Sequence, residues 1–193
     1  MPVFTDMINK GRQTANKPGF VDSRDWYREK ARTVMSINPN KIVSSNQDLQ
    51  KSVVRLGFMY LFGYEAKHKD TLPFYDRFPL IFPFSSDKDS FMGLNLHYLP
   101  HILRARLMDA LYDLTSSKKY TEDTKLNITY KLLSSSAKYK YFEPCVKKYL
   151  YSHMQTRFLL VPSNEWDIAL FLPLERFTVG KQKVYQDSLN KIG

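Results

Sequence analysis

Apolar positions along the chain change spacing several times, and each spacing predicts a different element. In residues 4–16, Phe4, Met7 and Ile8 share one side of a helical wheel and Pro18-Gly19 follows, so a short amphipathic helix is expected. Asp22 or Ser23 can cap a second helix reaching about Ser36, where Trp26, Ala31 and Val34 alternate with Arg24, Arg28, Lys30 and Arg32. Asn38-Pro39-Asn40 reads as its stop, and the polar residues 44–51 read as a linker.

Strand-like spacing begins at Val53 and runs to Tyr64 through β-branched, aromatic and bulky residues, with Gly57 and Gly63 as bends. Pro73, Pro79 and Pro83 then exclude a helix or a central ladder over 72–84, which predicts short extended pieces at an edge or a barrel corner. From Phe91 the alternation is regular: Phe91, Gly93, Asn95 and His97 fall on one face, Met92, Leu94, Leu96 and Tyr98 on the other. A hairpin joining 78–84 to 91–98 across the polar residues 85–90 follows.

Pro100 suits the first turn of a helix to about Leu114, with Leu103, Leu107, Ala110, Leu111 and Leu114 in one stripe. Helices are also expected over 122–135, 144–156 and 165–171, and a strand over 157–161. The order of elements is not a regular βαβ alternation. It predicts an α+β fold in which a small antiparallel sheet or SH3-like barrel, with strands near 53–64, 78–84, 91–98 and 157–161, is surrounded by helices. The expected organisation is an N-terminal helical arm (1–50), a core domain (51–177) and a loosely held polar C-terminal tail (178–193).

Composition narrows the class. With 43% apolar and 15% aromatic residues, burial alone can drive folding. Cys145, the one cysteine, excludes an internal disulfide or a cysteine-rich zinc site and reads as a small buried filler, which suits a reducing cytosol. No apolar run is long enough to span a membrane, and residues 1–17 lack the apolar stretch of a signal peptide, so a soluble protein that is not exported is expected.

Charge changes the picture more. Half of the formal +10 lies in residues 118–148, where Lys118, Lys119, Lys138, Lys140, Lys147 and Lys148 are interleaved with Tyr120, Tyr139, Tyr141, Phe142 and Tyr149. Lysines can neutralise phosphates while aromatic rings stack on bases or sugars, so these residues are the candidate nucleic-acid surface. A solvated lysine face over core-anchoring rings is the plainer reading. Tyr75, Arg77, Phe78, Phe82, Phe91 and His97 lie in the nearly neutral, proline- and aromatic-rich middle, a composition that suits a protein interface.

Catalytic and cofactor signals are absent from the sequence. His97 and His101 are four apart, but Pro100 denies them a common helix, and no His-Glu-x-x-His accompanies them. Asp87/Asp89 and Glu122/Asp123 read as a turn and a helix start rather than as metal ligands. Neither glycine-rich phosphate loop occurs, and no Ser/His/Asp order can be assembled. No catalytic, cofactor-binding or metal site, no membrane partner and no small-molecule substrate is expected.

Several longer stretches carry a resemblance. Tyr75-Asp-Arg-Phe-Pro-Leu-Ile-Phe-Pro-Phe, Gly93-Leu-Asn-Leu-His-Tyr-Leu-Pro, Arg104-Ala-Arg-Leu-Met-Asp-Ala-Leu-Tyr, Tyr139-Lys-Tyr-Phe-Glu-Pro-Cys and Glu165-Trp-Asp-Ile-Ala-Leu-Phe-Leu-Pro resemble a virion structural protein family of T-even-like contractile-tailed bacteriophages. The resemblance covers about residues 50–177. It implies a virion assembled in the bacterial cytoplasm, with neighbouring virion proteins of the neck, tail or baseplate as partners in a symmetric, multi-copy assembly. The leading expectation is therefore a non-enzymatic structural component of the particle, and the alternative is a phage DNA-binding protein that caps or protects genome ends through the basic, tyrosine-rich patch.

Overall fold

The computed structural model describes Phe4 and residues 37–101, 103–104 and 119–193. In chain order they form α1 (Pro39–Ser45), β1 (Gln50–Lys51), β2 (Met59–Leu61), β3 (Leu80–Ser86), β4 (Ser90–Asn95), α2 (Glu122–Ser136), β5 (Val146–Leu150), β6 (Phe158–Val161), α3 (Trp166–Phe171) and α4 (Lys181–Ile192). The strands make one antiparallel sheet in the order β1-β6-β2-β3-β4-β5. The fold is α+β as expected, and the sheet is open rather than closed into a barrel. The helices expected over 4–16 and 22–36, and most of that over 100–114, lie outside the described residues. Phe4 is fully buried, and its backbone N–H donates to Glu165 Oε1 at 3.0 Å.

The sheet is buried on both faces because its strands alternate two apolar sets. Met59, Leu61, Leu80, Phe82, Leu94, Leu159 and Val161 pack with Ile42 and Val43 of α1, Leu133 of α2, Ile168 and Leu170 of α3 and Val184 of α4. Tyr60, Phe62, Ile81, Phe91, Tyr149 and Phe158 form the second cluster. Phe62 is its hub, meeting Phe158, Tyr149 and Phe91 edge to face at centroid distances of 5.1, 5.4 and 5.9 Å. Such geometry adds about 0.5–1.5 kcal/mol per ring pair beyond burial.

The expected hairpin is present as β3 and β4, with Asp87, Lys88 and Asp89 at its exposed tip. Pro83 was expected to keep this segment off a central ladder, yet it sits inside β3, opposite Gly93. Its carbonyl accepts from Gly57 N at 3.1 Å, beyond the end of β2. A strand residue's N–H and C=O point to the same side, so the donor that proline lacks faces the flank where β2 has already ended.

Four other expectations need correction. Asn38-Pro39-Asn40 starts a helix rather than stopping one: Asn38 Oδ1 caps Asn40 N at 3.1 Å, and Pro39 occupies the first helical position, where its missing donor costs nothing. The 53–64 strand shrinks to Met59–Leu61 because Gly57, at φ 82°, turns the chain, and Val53 is 66% exposed. The helix expected over 144–156 is instead β5, whose five pairs with β4 put Tyr149 on Phe91. Residues 181–192 are a docked helix rather than a loose tail, since Val184, Tyr185 and Ser188 form a buried stripe.

Gly57→Ala should cost about 1–3 kcal/mol, because the left-handed backbone is strained for any side chain and the new Cβ would press on Leu126 Cδ1 at 3.1 Å. Urea denaturation measures it. An unchanged midpoint would mean that this turn is not held as described.

Candidate nucleic-acid interface

A buried polar network underlies the site. Asp76 is drawn under the surface by the bridge it forms with Phe177, and its carboxylate has four donors. Oδ2 accepts from His97 Nδ1 at 2.7 Å and Asn95 Nδ2 at 3.1 Å; Oδ1 accepts from the backbone N–H groups of Phe78 and Arg176, both at 3.1 Å. Burial by itself would raise the Asp76 pKa, but His97, through its charge and hydrogen bond, and then Asn95 and Arg176, bring it below the ordinary carboxylate value. The second Asn95 amide hydrogen reaches Tyr149 Oη at 3.1 Å, and burial drives that phenol's pKa well above the usual range. His97 also accepts, through its carbonyl, from the buried Arg104 at 3.1 Å.

Above this network lies a cleft of about 540 Å³. Its aromatic wall is Tyr64, Phe74, Tyr75, Tyr98 and Tyr149, braced by the edge-to-face Tyr64–Tyr149 pair at 5.0 Å and by Tyr98 on Phe177 at 5.1 Å. Its cationic rim is Lys67, Lys147, Lys148 and Lys191, with His68 beside them. Three separate segments deliver those lysines: the 66–72 turn, the edge strand β5 and the last turn of α4. The Lys147 ammonium stands 4.1 Å from the Tyr98 ring centroid. Burial, reinforced by the charge of Lys191, lowers its pKa to about 8.

Among the described residues, none of the four lysines has an ion pair. The nearby Glu65 is held by Lys69 at 2.5 Å, and the Asp76 oxygens that line the floor are consumed by their own donors. The cleft is therefore a concentration of positive charge on an aromatic surface, a combination suited to a phosphate with a base or sugar attached. A second cavity of about 330 Å³, between Gly57, Phe58, Leu126 and Trp166, carries among the described residues one cation, Arg55, against Asp123.

The sequence-derived sites are divided by the fold. Of the basic candidates, Lys147 and Lys148 line the cleft; Lys119, Lys138 and Lys140 are exposed but do not line it, Lys140 lying against Gly193, and Lys118 is outside the described residues. Of the interface candidates, Tyr75 lines the cleft, Arg77 is exposed and Phe78 is partly buried against the main core. Phe82, Phe91 and His97 have no surface to offer: each is 1% exposed or less, Phe82 against Trp166 at 4.8 Å, Phe91 against Tyr149 at 5.4 Å and His97 on Asp76. They are core residues rather than contact residues. Cys145 is fully buried, and burial pushes its thiol pKa up to about 12.

Lys67 and Lys191 were not anticipated. Lys191 had a readable signal, the buried-stripe spacing of Val184, Tyr185 and Ser188, which would have carried it onto a docked helix; Lys67 had none beyond a polar turn after an aromatic run.

With the geometry in place, comparison with known proteins adds one finding: residues 5–191 match the family described as phage T4 terminal DNA protecting protein. No curated protein and no solved structure matches the chain. The match agrees with a T4-like phage origin and overturns the narrower expectation of a virion structural family: the neck, tail or baseplate component gives way to the alternative, a protein of DNA ends.

Proposed function

The chain belongs to the phage T4 terminal DNA protecting protein family, and on that premise we propose that it binds the ends of linear duplex DNA and shields them from exonucleases. The observation that carries the reading is the convergence on one aromatic cleft of four lysines that have no ion pair among the described residues. The role is one of binding: ammonium groups neutralise phosphates and rings stack on bases, and neither activates a nucleophile. In this reading the protein is made in the bacterial cytoplasm and is associated with the particle through the genome.

Electrophoretic retardation and exonuclease digestion of one plasmid, linear and circular, at stepped salt concentrations test it. Linear DNA should be retained and protected and circular DNA should not, and log affinity should fall with log salt by about 0.9 per neutralised phosphate. The double substitution Lys147→Gln/Lys148→Gln should reduce that slope by about 2. Equal binding of the two forms, or a flat salt response, overturns the proposal.

A further inference from the structure

We propose that the cleft is a receptor for a terminal phosphomonoester, taking the phosphorylated last nucleotide of one DNA strand between Lys67, Lys147, Lys148 and Lys191. The inference rests on the end-binding reading and goes beyond it by naming the group that marks an end.

Size is the first argument. A cavity of about 540 Å³ lies in the range that encloses one small ligand, and a double helix cannot enter it. A frayed terminal nucleotide can, with little loss of pairing and stacking, whereas an internal nucleotide must first be flipped out.

Charge is the second. A phosphomonoester carries about −1.5 to −2 at neutral pH, whereas an internal diester carries a single negative charge. Four ammonium groups, without ion pairs among the described residues, exceed what one diester neutralises even after the single Asp76 carboxylate on the floor is set against them, and the Glu65 charge is already held by Lys69. Burial first and then the charge of Lys191 disfavour the Lys147 ammonium, and a bound dianion would favour it.

Residue type is the third. All four cations are lysines, compact charges suited to non-bridging phosphate oxygens, and among the described residues no arginine lines the cleft to read a base edge with its planar fork. Phe74 and Tyr75, half-buried in the lining, add faces on which any base or sugar can rest. The recognition is therefore of an end and not of a sequence, and it distinguishes a phosphorylated end from a hydroxyl end.

The test uses the full chain and a duplex closed at one side by a hairpin loop, its open end carrying a 5′-phosphate, a 3′-phosphate or hydroxyls alone, with fluorescence anisotropy as the readout. One phosphorylated form should bind about tenfold tighter or more than the hydroxyl form, as expected for a charge-assisted contact. Which of the two does so identifies the strand polarity. Deoxyadenosine 5′-monophosphate, or the 3′-monophosphate if that arm wins, should compete where deoxyadenosine does not. In Lys148→Gln and Lys191→Gln, both exposed and unlinked to the core, the ratio of phosphorylated to hydroxyl affinity should fall toward one with thermal unfolding unchanged. Equal affinity for all three ends, with linear DNA still preferred over circular, overturns this inference and leaves the end-binding proposal standing. Loss of the preference for linear DNA overturns that proposal itself.

Discussion

Arg104→Met is expected to remove about 3–5 kcal/mol of stability, a large part of the 5–15 kcal/mol available to a domain of this size. Arg104 has no exposed surface, and its guanidinium makes four hydrogen bonds. Nε donates to Leu99 O at 2.7 Å, Nη1 to Leu170 O at 2.8 Å, and Nη2 to His97 O at 3.1 Å and Tyr185 Oη at 2.8 Å. Tyr185 passes the interaction on, donating to Glu175 Oε1 at 3.1 Å.

The loss would come from what remains after the change. Three carbonyls would lose a partner, and the buried Glu175 would lose a compensating cation, keeping His97 and, at 3.6 Å, Lys181. Arg104→Lys should recover little, because an ammonium cannot span donors that a planar fork reaches. Tyr185→Phe, which breaks the two hydrogen bonds of the hydroxyl and keeps the Arg104 charge, should cost about 1–2 kcal/mol. Urea midpoints compare the three variants. An Arg104→Met protein as stable as the parent would show that the network contributes nothing to the fold.

That network was invisible in the sequence, where Arg104 lies off the apolar stripe of the helix expected from Pro100 to Leu114. An arginine on a helix reads as solvated unless the chain is known to bring carbonyls from residues 97, 99 and 170 around it. The same limit explains the interface candidates. Phe82, Phe91 and His97 occupy an aromatic-rich stretch, and both cores and interfaces bury rings, so composition cannot separate the two. It also favoured an assembly role over DNA binding, which the family match overturns.

Elements whose signals are local were legible. The β3–β4 hairpin follows from strict alternation around a polar turn, and α2 from Thr121, whose hydroxyl accepts from Thr124 N at 3.3 Å. β5 was not, because Val146, Tyr149 and Leu150 also fit helical spacing, and only pairing with β4 decides for the strand. The cleft needed both kinds of information. Lys147 and Lys148 were read directly, whereas Lys67 and Lys191 join them through a turn and a C-terminal helix that the fold alone places beside β5.

Acidification should unfold the protein in two stages with distinct origins. His101 comes first: burial, with Arg104 nearby, lowers its pKa from 6.5 to about 4. Between those values the unfolded chain accepts a proton that the folded chain refuses, so stability falls as the pH drops through that window. Glu175 and Asp76 act next. Burial opposes the Glu175 charge, but His97 and Arg104 outweigh it and hold the carboxyl at about 2, against 4.5 when unperturbed. A depressed carboxylate stabilises fully above its unfolded pKa and loses that contribution as the pH falls toward the folded value, which for Glu175 is about 3 kcal/mol. Asp76, lowered too, adds to the loss in the same direction. Lys147, with a folded pKa of about 8 against 10.5, gives the matching slope at the alkaline end, where stability should rise with pH across that interval. Urea midpoints from pH 2.5 to 10.5 trace the whole curve. His101→Phe, which retains the stack on Phe171, should flatten the stage between pH 6.5 and 4. Glu175→Gln should lower stability at neutral pH and soften the fall below pH 4.5. A parent curve level from pH 7 to pH 3 would contradict the assignment of buried, charge-stabilised carboxylates behind the cleft.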